Sequence, residues 1–457
     1  MYSSGKPFGF WSAVLLGVGA MVGAGIFALM GQAGSVAGAA VWQSFLYGGL
    51  VAALSGYSFG RLGARYPSAG GLVEYLVRGY GDSYFAGSAA VLLYVSGLLA
   101  LALIAKAFGS YASALVLGET SRWVVDGFAL AVVGLLTWIN LNGPGEVSRI
   151  ENAFVVSKVL VLVSFVAIGL AYVQPDRLAP SEYPDQLHVA ASIGFTFFAF
   201  EGFRVITNTA EDMPHPTVQL PRAMLTAIAL VAVLYVLMSV VVFGNLDVPQ
   251  VIAARDYALA QAAEPVFGTT GFVVVGMVAM ISTASAINAN LYAVTNVTYQ
   301  MARYGELPQA FRRPIAHSRE GLLISAGTVA AMVPSFDLTS LAVAGSVTIL
   351  LVHIAVHAGH WRLTRETGAA RPLIGLALVA NAGVVLAVVG FQLAHHPRSL
   401  LYLGGFVLLA VLLETVLRRV TGRELRSRPR WGHRRSGRSP VPADNEVLQG
   451  AGEDGHD

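Results

Sequence analysis

Apolar runs close to twenty residues long, broken by short stretches carrying Pro, Gly or charge, recur along almost the whole of the 457-residue chain. About twenty apolar residues in a helix are what a bilayer's hydrocarbon core requires, whereas an outer-membrane barrel would show alternating segments of about ten. The pattern predicts twelve membrane-spanning helices, over 10–36, 39–60, 85–112, 124–141, 152–173, 189–212, 222–243, 269–300, 321–335, 338–360, 373–393 and 400–417. The expected fold class is an all-α polytopic membrane protein. The first run is too long and glycine-rich for a signal segment, so it is read as a retained helix.

Composition agrees. Of the residues 55% are hydrophobic and 12% charged, with mean hydropathy +0.64, against about 25% charged in soluble domains. Fifty glycines without a repeating triplet exclude collagen. The absence of cysteine excludes disulfides, thiolate zinc sites and cysteine nucleophiles. The net charge of +3 comes from an Arg-rich tail, with nine arginines from Arg418 to Arg438 followed by an acidic end. Most of the other basic residues, among them Lys6, Arg61, Arg65, Arg78, Arg222, Arg312, Arg313, Arg319 and Arg362, fall on the tail's side of the expected spans. Only Arg122, Arg177, Arg255 and Arg398 fall on the other. Cytoplasmic loops are enriched in Lys and Arg, so both termini are expected in the cytoplasm. The tail, 419–457, is expected to be disordered; its arginines either hold anionic lipid, at about 1 kcal/mol per charge, or only fix topology. No folded module accompanies them to suggest nucleic-acid binding.

Two spans carry interruptions. Gly17, Gly19, Gly23 and Gly25 crowd the middle of the first, where glycine destabilises a helix by about 1 kcal/mol relative to alanine. This pattern fits a helix that opens onto a polar cavity, and equally close helix packing through Gly19 and Gly23. The sixth span puts Glu201, Gly202 and Arg204 at mid-membrane, where charges face a cavity or one another. Interrupted helices at corresponding positions of two halves are the pointer to a transporter's mid-membrane site, here Met21, Gly23, Ala24, Gly25 and Ile26 facing Phe198, Ala199, Phe200, Glu201 and Gly202. Open half-helix ends offer N–H groups to a carboxylate and carbonyls to an ammonium, and an α-amino acid carries both. Phe198 and Phe200 are candidates to cover its side chain, though a Phe cluster in a span is equally often ordinary packing.

At these residues the chain resembles the amino acid-polyamine-organocation superfamily. The resemblance rests on Gly23 to Phe27, on Phe197 to Asp212 followed by Pro214, Pro216 and Pro221, and on Gly305-Glu306-Leu307-Pro308. It implies a leucine-transporter-type fold, the same system from which the paired-interruption rule is drawn. Spans 1–5 (1–173) and 6–10 (174–361) would form inverted repeats, with spans 11 and 12 over 362–418. Within the superfamily the chain is similar to prokaryotic proton-coupled amino acid transporters of broad specificity, through Ile104 to Phe108, Lys158 and Arg319 to Leu322. That likeness implies residence in the cell membrane, protons as the coupling ion and no other cofactor. It also implies Lys158 in the place of a sodium ion, against the carbonyls near Gly19 and against Ser282 or Ser285. Gly23, Ala24 and Gly25 would meet the substrate carboxylate, and Tyr94 and Phe198 would act as gating aromatics. Ala24 and Gly97 suggest room for a side chain.

A buried ammonium can lose its proton, which makes Lys158 a candidate proton carrier. The alternative is snorkelling, since Lys158 lies about 10 Å along its helix from Asn152. Lys106, near the end of its span, is read as snorkelling. Glu201 and Arg204, three apart, are expected to neutralise each other; Glu201 is the alternative proton carrier, and an Arg204 facing the site disfavours cationic substrates. His353, His357 and His360 recur at i, i+4 and i+7 and are read as a polar face at the membrane edge, in preference to a metal site. Asp247, Arg255, Asp256 and Glu264 suggest a short amphipathic helix in an outer loop. An exchanger or polyamine-type carrier on the same fold, and an amino acid sensor that does not transport, stay open. No enzyme motif or channel filter is visible.

Overall fold

The computed structural model describes residues 9–68, 70–81, 83–142, 147–303, 307–316, 318–397 and 399–420. Gly305, Glu306 and the tail from 421 onward, and the side chain of Ala24, lie outside the described residues. The α-helices in chain order are α1 Phe10–Ala37, α2 Val41–Arg65, α3 Leu72–Tyr80, α4 Tyr84–Leu117, α5 Arg122–Asn142, α6 Val147–Gly169 and α7 Gln186–Phe200. They continue as α8 Pro216–Asn245, α9 Val248–Ala253, α10 Ala258–Arg303, α11 Glu320–Ser335, α12 Leu338–Thr367, α13 Arg371–His395 and α14 Ser399–Val420. A two-residue hairpin pairs Pro314–Ile315 with Ser318–Arg319. Ten helical stretches among the described residues are long and apolar enough to cross a membrane, so this is a nearly all-helical, multi-pass membrane protein.

Local chemistry sets the helix ends. Ser83, Asp185 and Asp337 cap α4, α7 and α12 by accepting from the amides of Ala86, Leu187 and Ser340, each worth about 1 kcal/mol. Pro216 opens α8, where its missing N–H leaves no bond unmade, so that helix starts before the apolar run at 222. The run at 269–300 is the longer arm of α10, which bends at Gly268 with φ 65°. The short α3 is amphipathic and not a spanning run; it buries Leu72, Val73, Tyr75 and Leu76. In the outer loop Asp247 caps α9 and pairs with Arg177 at 3.0 Å.

Three expectations need correction. The first span is not opened at its glycines: α1 is continuous from Phe10 to Ala37, and none of its residues has positive φ among those described. Lys106 does not snorkel; it is buried, 2.5 Å from Asp126 of α5 and 3.0 Å from the carbonyl of Val333. An ammonium at this depth is satisfied more cheaply by a carboxylate on the next helix than by reaching for the interface. The histidines of α12 do not form an edge face: His353, His357 and His360 are all buried against α2 and the sixth span.

The sixth span does change character where expected. α7 ends at Phe200 and the chain continues as a 3₁₀-helix over Glu201–Asp212. Runs of this length are uncommon and mark hinges or strained sequence. Thr207 and Thr209 donate back to the carbonyls of Arg204 and Ile206, which suits the i→i+3 winding. α1, α7 and this 3₁₀ segment form the centre of the helical body, with α2, α4, α8, α10 and α12 packed around them.

Candidate functional site

α1 and the sixth span meet backbone to backbone. A Cβ on Gly25 would lie 2.1 Å from the carbonyl oxygen of Ala199, and one on Gly202 would lie 2.5 Å from the backbone of Ala20 and Met21. Only glycine permits this approach at either position. The carbonyl of Met21 accepts from the hydroxyl of Tyr235 at 2.8 Å, and Phe200 packs on the same tyrosine with ring centroids 5.1 Å apart. Phe200 therefore faces α8. Phe198, two residues earlier, faces α12, where it abuts Gly345. The two rings do not flank one space. Met21, Ile26, Phe198 and Ala199 are all buried at this junction.

Lys158 approaches α1 from the other side. Its side chain is buried and does not snorkel; Nζ donates to the carbonyl of Gly19 at 2.8 Å. The same ammonium and the carbonyl of Ser282 lie 3.4 and 3.3 Å from the place a Gly23 Cβ would take. Lys158, Gly19, Gly23 and Ser282 thus come together from α6, α1 and α10. The hydroxyl of Ser282 is buried without a hydrogen-bond partner among the described residues. Ser285, one turn further along, is half-buried.

Glu201 is buried and sits at the first residue of the 3₁₀ segment, where side chains three apart are nearly eclipsed. That winding brings Arg204 Nε to 2.8 Å from Glu201 Oε1. The other oxygen, Oε2, lies 3.3 Å from His353 Nε2. These are ion-pair distances without aligned hydrogen bonds, since both carboxylate oxygens and both His353 nitrogens lack one. Arg204 is part of the wall of two small adjoining hollows, of about 20 and 10 Å³, between α4, α10 and the 3₁₀ segment. The larger also touches Asn208 and Asn296; the smaller touches Tyr94 and Gly97. Tyr94 is held there by its hydroxyl, 3.1 Å from that of Ser325. Of the residues expected at a substrate site, then, Tyr94 and Gly97 line a hollow with Arg204, while Gly25 and Gly202 close the contact between the first and sixth spans and Phe198 and Phe200 turn to α12 and α8.

Towards the outer loop, α1 is tied down by Gln32. Its amide donates to Asp256 at 2.8 Å and accepts from Thr339 at 2.8 Å. Burial raises the Asp256 carboxyl above its ordinary range, with Arg255 and the Gln32 hydrogen bond opposing. Sequence reasoning did not single out Gln32, Asp126, Ser55 or Ser58. Asp126 carried a signal, as a carboxylate one turn into an apolar span; the polar serines carried none.

The amino acid permease family model matches residues 8–410. The chain is 35% identical over 419 residues to the inner membrane transport protein YbaT of Escherichia coli (strain K12), covering 91% of this chain and 97% of that one. It is 27% identical to the methylthioribose transporter of Bacillus subtilis (strain 168), over 68% of this chain and 70% of that one. With the branched-chain amino acid permease BcaP of the same organism it shares 24% identity, over 66% of this chain and 68% of the relative. A match that runs from the start of α1 into α14 takes in every helix that builds the site, and the chain therefore belongs to the amino acid permease family of membrane transporters.

Proposed function

We propose that this transporter takes up amino acids together with protons, without sodium, by alternating access, with spans 1–5 and 6–10 as inverted repeats and both termini in the cytoplasm. The observation that carries the reading is the buried Lys158 ammonium on the carbonyl of Gly19. In a continuous α1 that carbonyl is the partner of the Gly23 N–H, four residues on. A charged Lys158 keeps it satisfied when the Gly23 N–H leaves, and a bond to a charged group is worth about 1.5–3 kcal/mol. Loss of the proton weakens that support, which links the charge on Lys158 to whether α1 can yield at Gly23–Gly25.

Admission of substrate then requires Gly25 to part from Ala199 and Gly202 from Ala20. The amides so freed take the substrate carboxylate, and the facing carbonyls take its ammonium. Tyr94, Gly97 and Arg204 line the way to the hollows, with Tyr94 and Phe198 as gates. A guanidinium on that path disfavours cationic side chains.

The test is uptake of a labelled L-amino acid mixture by liposomes holding the purified protein. An inward proton gradient is compared with an inward sodium gradient and with unlabelled amino acid inside and no gradient. Accumulation under the proton gradient only is expected. Uptake that needs internal amino acid alone would make the protein an exchanger, and binding without flux under any condition would make it a sensor.

A further inference from the structure

The corner between α3 and α4 repeats one arrangement against two different helices. Gly81, with φ 67°, turns the chain there, and the Tyr80 and Phe85 rings come to lie 4.6 Å apart. The Tyr80 hydroxyl donates to the carbonyl of Ala355 on α12 at 2.8 Å, and the guanidinium of Arg362, seven residues on, lies 5.0 Å from the centre of the Tyr80 ring. The Tyr84 hydroxyl donates to the carbonyl of Val411 on α14 at 3.0 Å, and the guanidinium of Arg418, again seven residues on, lies 5.5 Å from the centre of the Tyr84 ring. Each tyrosine thus spans about two turns of a neighbouring helix and carries an arginine near that helix's end.

Neither guanidinium is fully engaged. Arg362 is exposed and makes no ion pair among the described residues. Arg418 gives Nε to Glu414 at 2.5 Å, but its Nη2 is buried without a hydrogen-bond partner among the described residues. Arg78, on the same α3, is by contrast paired with Glu74 at 2.7 Å. A guanidinium stacked on a ring keeps the planar fork of N–H groups that matches a phosphate. Below the two arginines Tyr84 and Phe85 are 42% and 50% exposed, at helix ends, the level where aromatic side chains meet lipid headgroups. A face that is only solvated needs charge alone. Two stacked arginines beside two exposed rings fit a molecule that joins a phosphate to hydrocarbon, and basic pockets between spanning helices are where anionic headgroups bind.

We propose that this seam between α3, α4, α12 and α14 binds an anionic phospholipid, with its headgroup on Arg362 and Arg418 and its glycerol and upper acyl chain on Tyr84 and Phe85. A zwitterionic lipid brings the same phosphate with a cation beside it, which the guanidiniums repel, so the site favours the anionic one. One bound lipid ties the α3–α4 corner to α12 and α14, whatever ion drives transport.

The full-length protein, purified in a non-ionic detergent, is titrated with phosphatidylglycerol and with phosphatidylcholine of the same acyl chains, and bound lipid is counted by native mass spectrometry. Phosphatidylglycerol is expected to bind the unmutated protein about tenfold more tightly, the weight of one hydrogen bond to a charged group. Arg362→Gln and Arg418→Gln are each expected to remove that preference and to leave phosphatidylcholine binding within about twofold. Arg418→Gln also breaks the Glu414 pair, so if it fails to fold, Arg362→Gln carries the test, with Phe85→Ser expected to weaken both lipids alike. Equal binding of the two lipids by the unmutated protein, or the preference kept in a folded Arg362→Gln, would overturn the site. Loss of the preference only when Arg426, Arg428 and Arg430 are replaced together by Gln would assign the lipid to the tail and overturn it too. So would displacement of phosphatidylglycerol by an equimolar amount of inorganic phosphate, which would make this a site for a free anion.

Discussion

The first and sixth spans both carry a glycine-containing interruption at mid-helix, and the fold treats them differently. α1 stays a regular helix, and its glycines let Ala199 approach within contact of Gly25. The sixth span leaves α-helical winding at Glu201, the first of its two charges, and tightens to a 3₁₀ segment that pairs Glu201 with Arg204. The difference shows what each feature specifies. A missing Cβ permits close packing and permits opening, so it fixes neither. A carboxylate and a guanidinium three apart in an apolar interior are expected to pair, and in the 3₁₀ segment they do.

The largest effect is expected where the sixth span's pairing is broken. Glu201→Leu leaves the partly buried Arg204 without its carboxylate and should destabilise by about 3 kcal/mol or more. Adding Arg204→Leu should recover a substantial part of that loss. Thermal unfolding of the two single variants and the double, followed in detergent, checks this; strictly additive losses would mean that the 2.8 Å pair contributes no coupling.

Next comes the contact that keeps α1 closed. Gly25→Ala drives a methyl into the Ala199 carbonyl, and because both sides are backbone the expected cost is about 3 kcal/mol. Gly23→Ala meets the Ala286 methyl at 3.1 Å, a contact that a small shift relieves, so it should cost about 1 kcal/mol or less. Equal midpoints for the two variants would deny that Gly25 is the close point between the spans.

The smallest effect concerns the outer end of α1. Because burial raises the Asp256 carboxyl in the folded protein, folding favours its protonated form. Its contribution is present below the unfolded-state pKa and is lost as pH rises through the folded-state value. Asp256→Asn should remove this part of the pH dependence of stability, and unchanged pH profiles of the thermal midpoint would contradict it.

Much of the fold was readable from the apolar runs, because a bilayer demands long uninterrupted helices and sequence displays them directly. The grouping of Lys158 with Gly19 and Ser282 was likewise anticipated, from family likeness and not from spacing. What stayed hidden depended on partners remote in sequence. The three histidines show a helical repeat, yet nothing in that repeat tells an edge face from a buried one. The serines that settle it are on α2, some 300 residues away. Lys106 was misread for a related reason: its depth is set by Asp126, twenty residues on in the neighbouring helix. The intact α1 was unreadable because glycine is the residue of both outcomes.

The account turns on Lys158 as the group whose charge is linked to α1. The most direct test is uptake of the labelled L-amino acid mixture under an inward proton gradient, in the unmutated protein and in Lys158→Ala side by side, with substrate binding measured on both. Gradient-driven uptake should fall at least tenfold in Lys158→Ala while binding persists; equal gradient-driven accumulation in the two proteins would contradict the account.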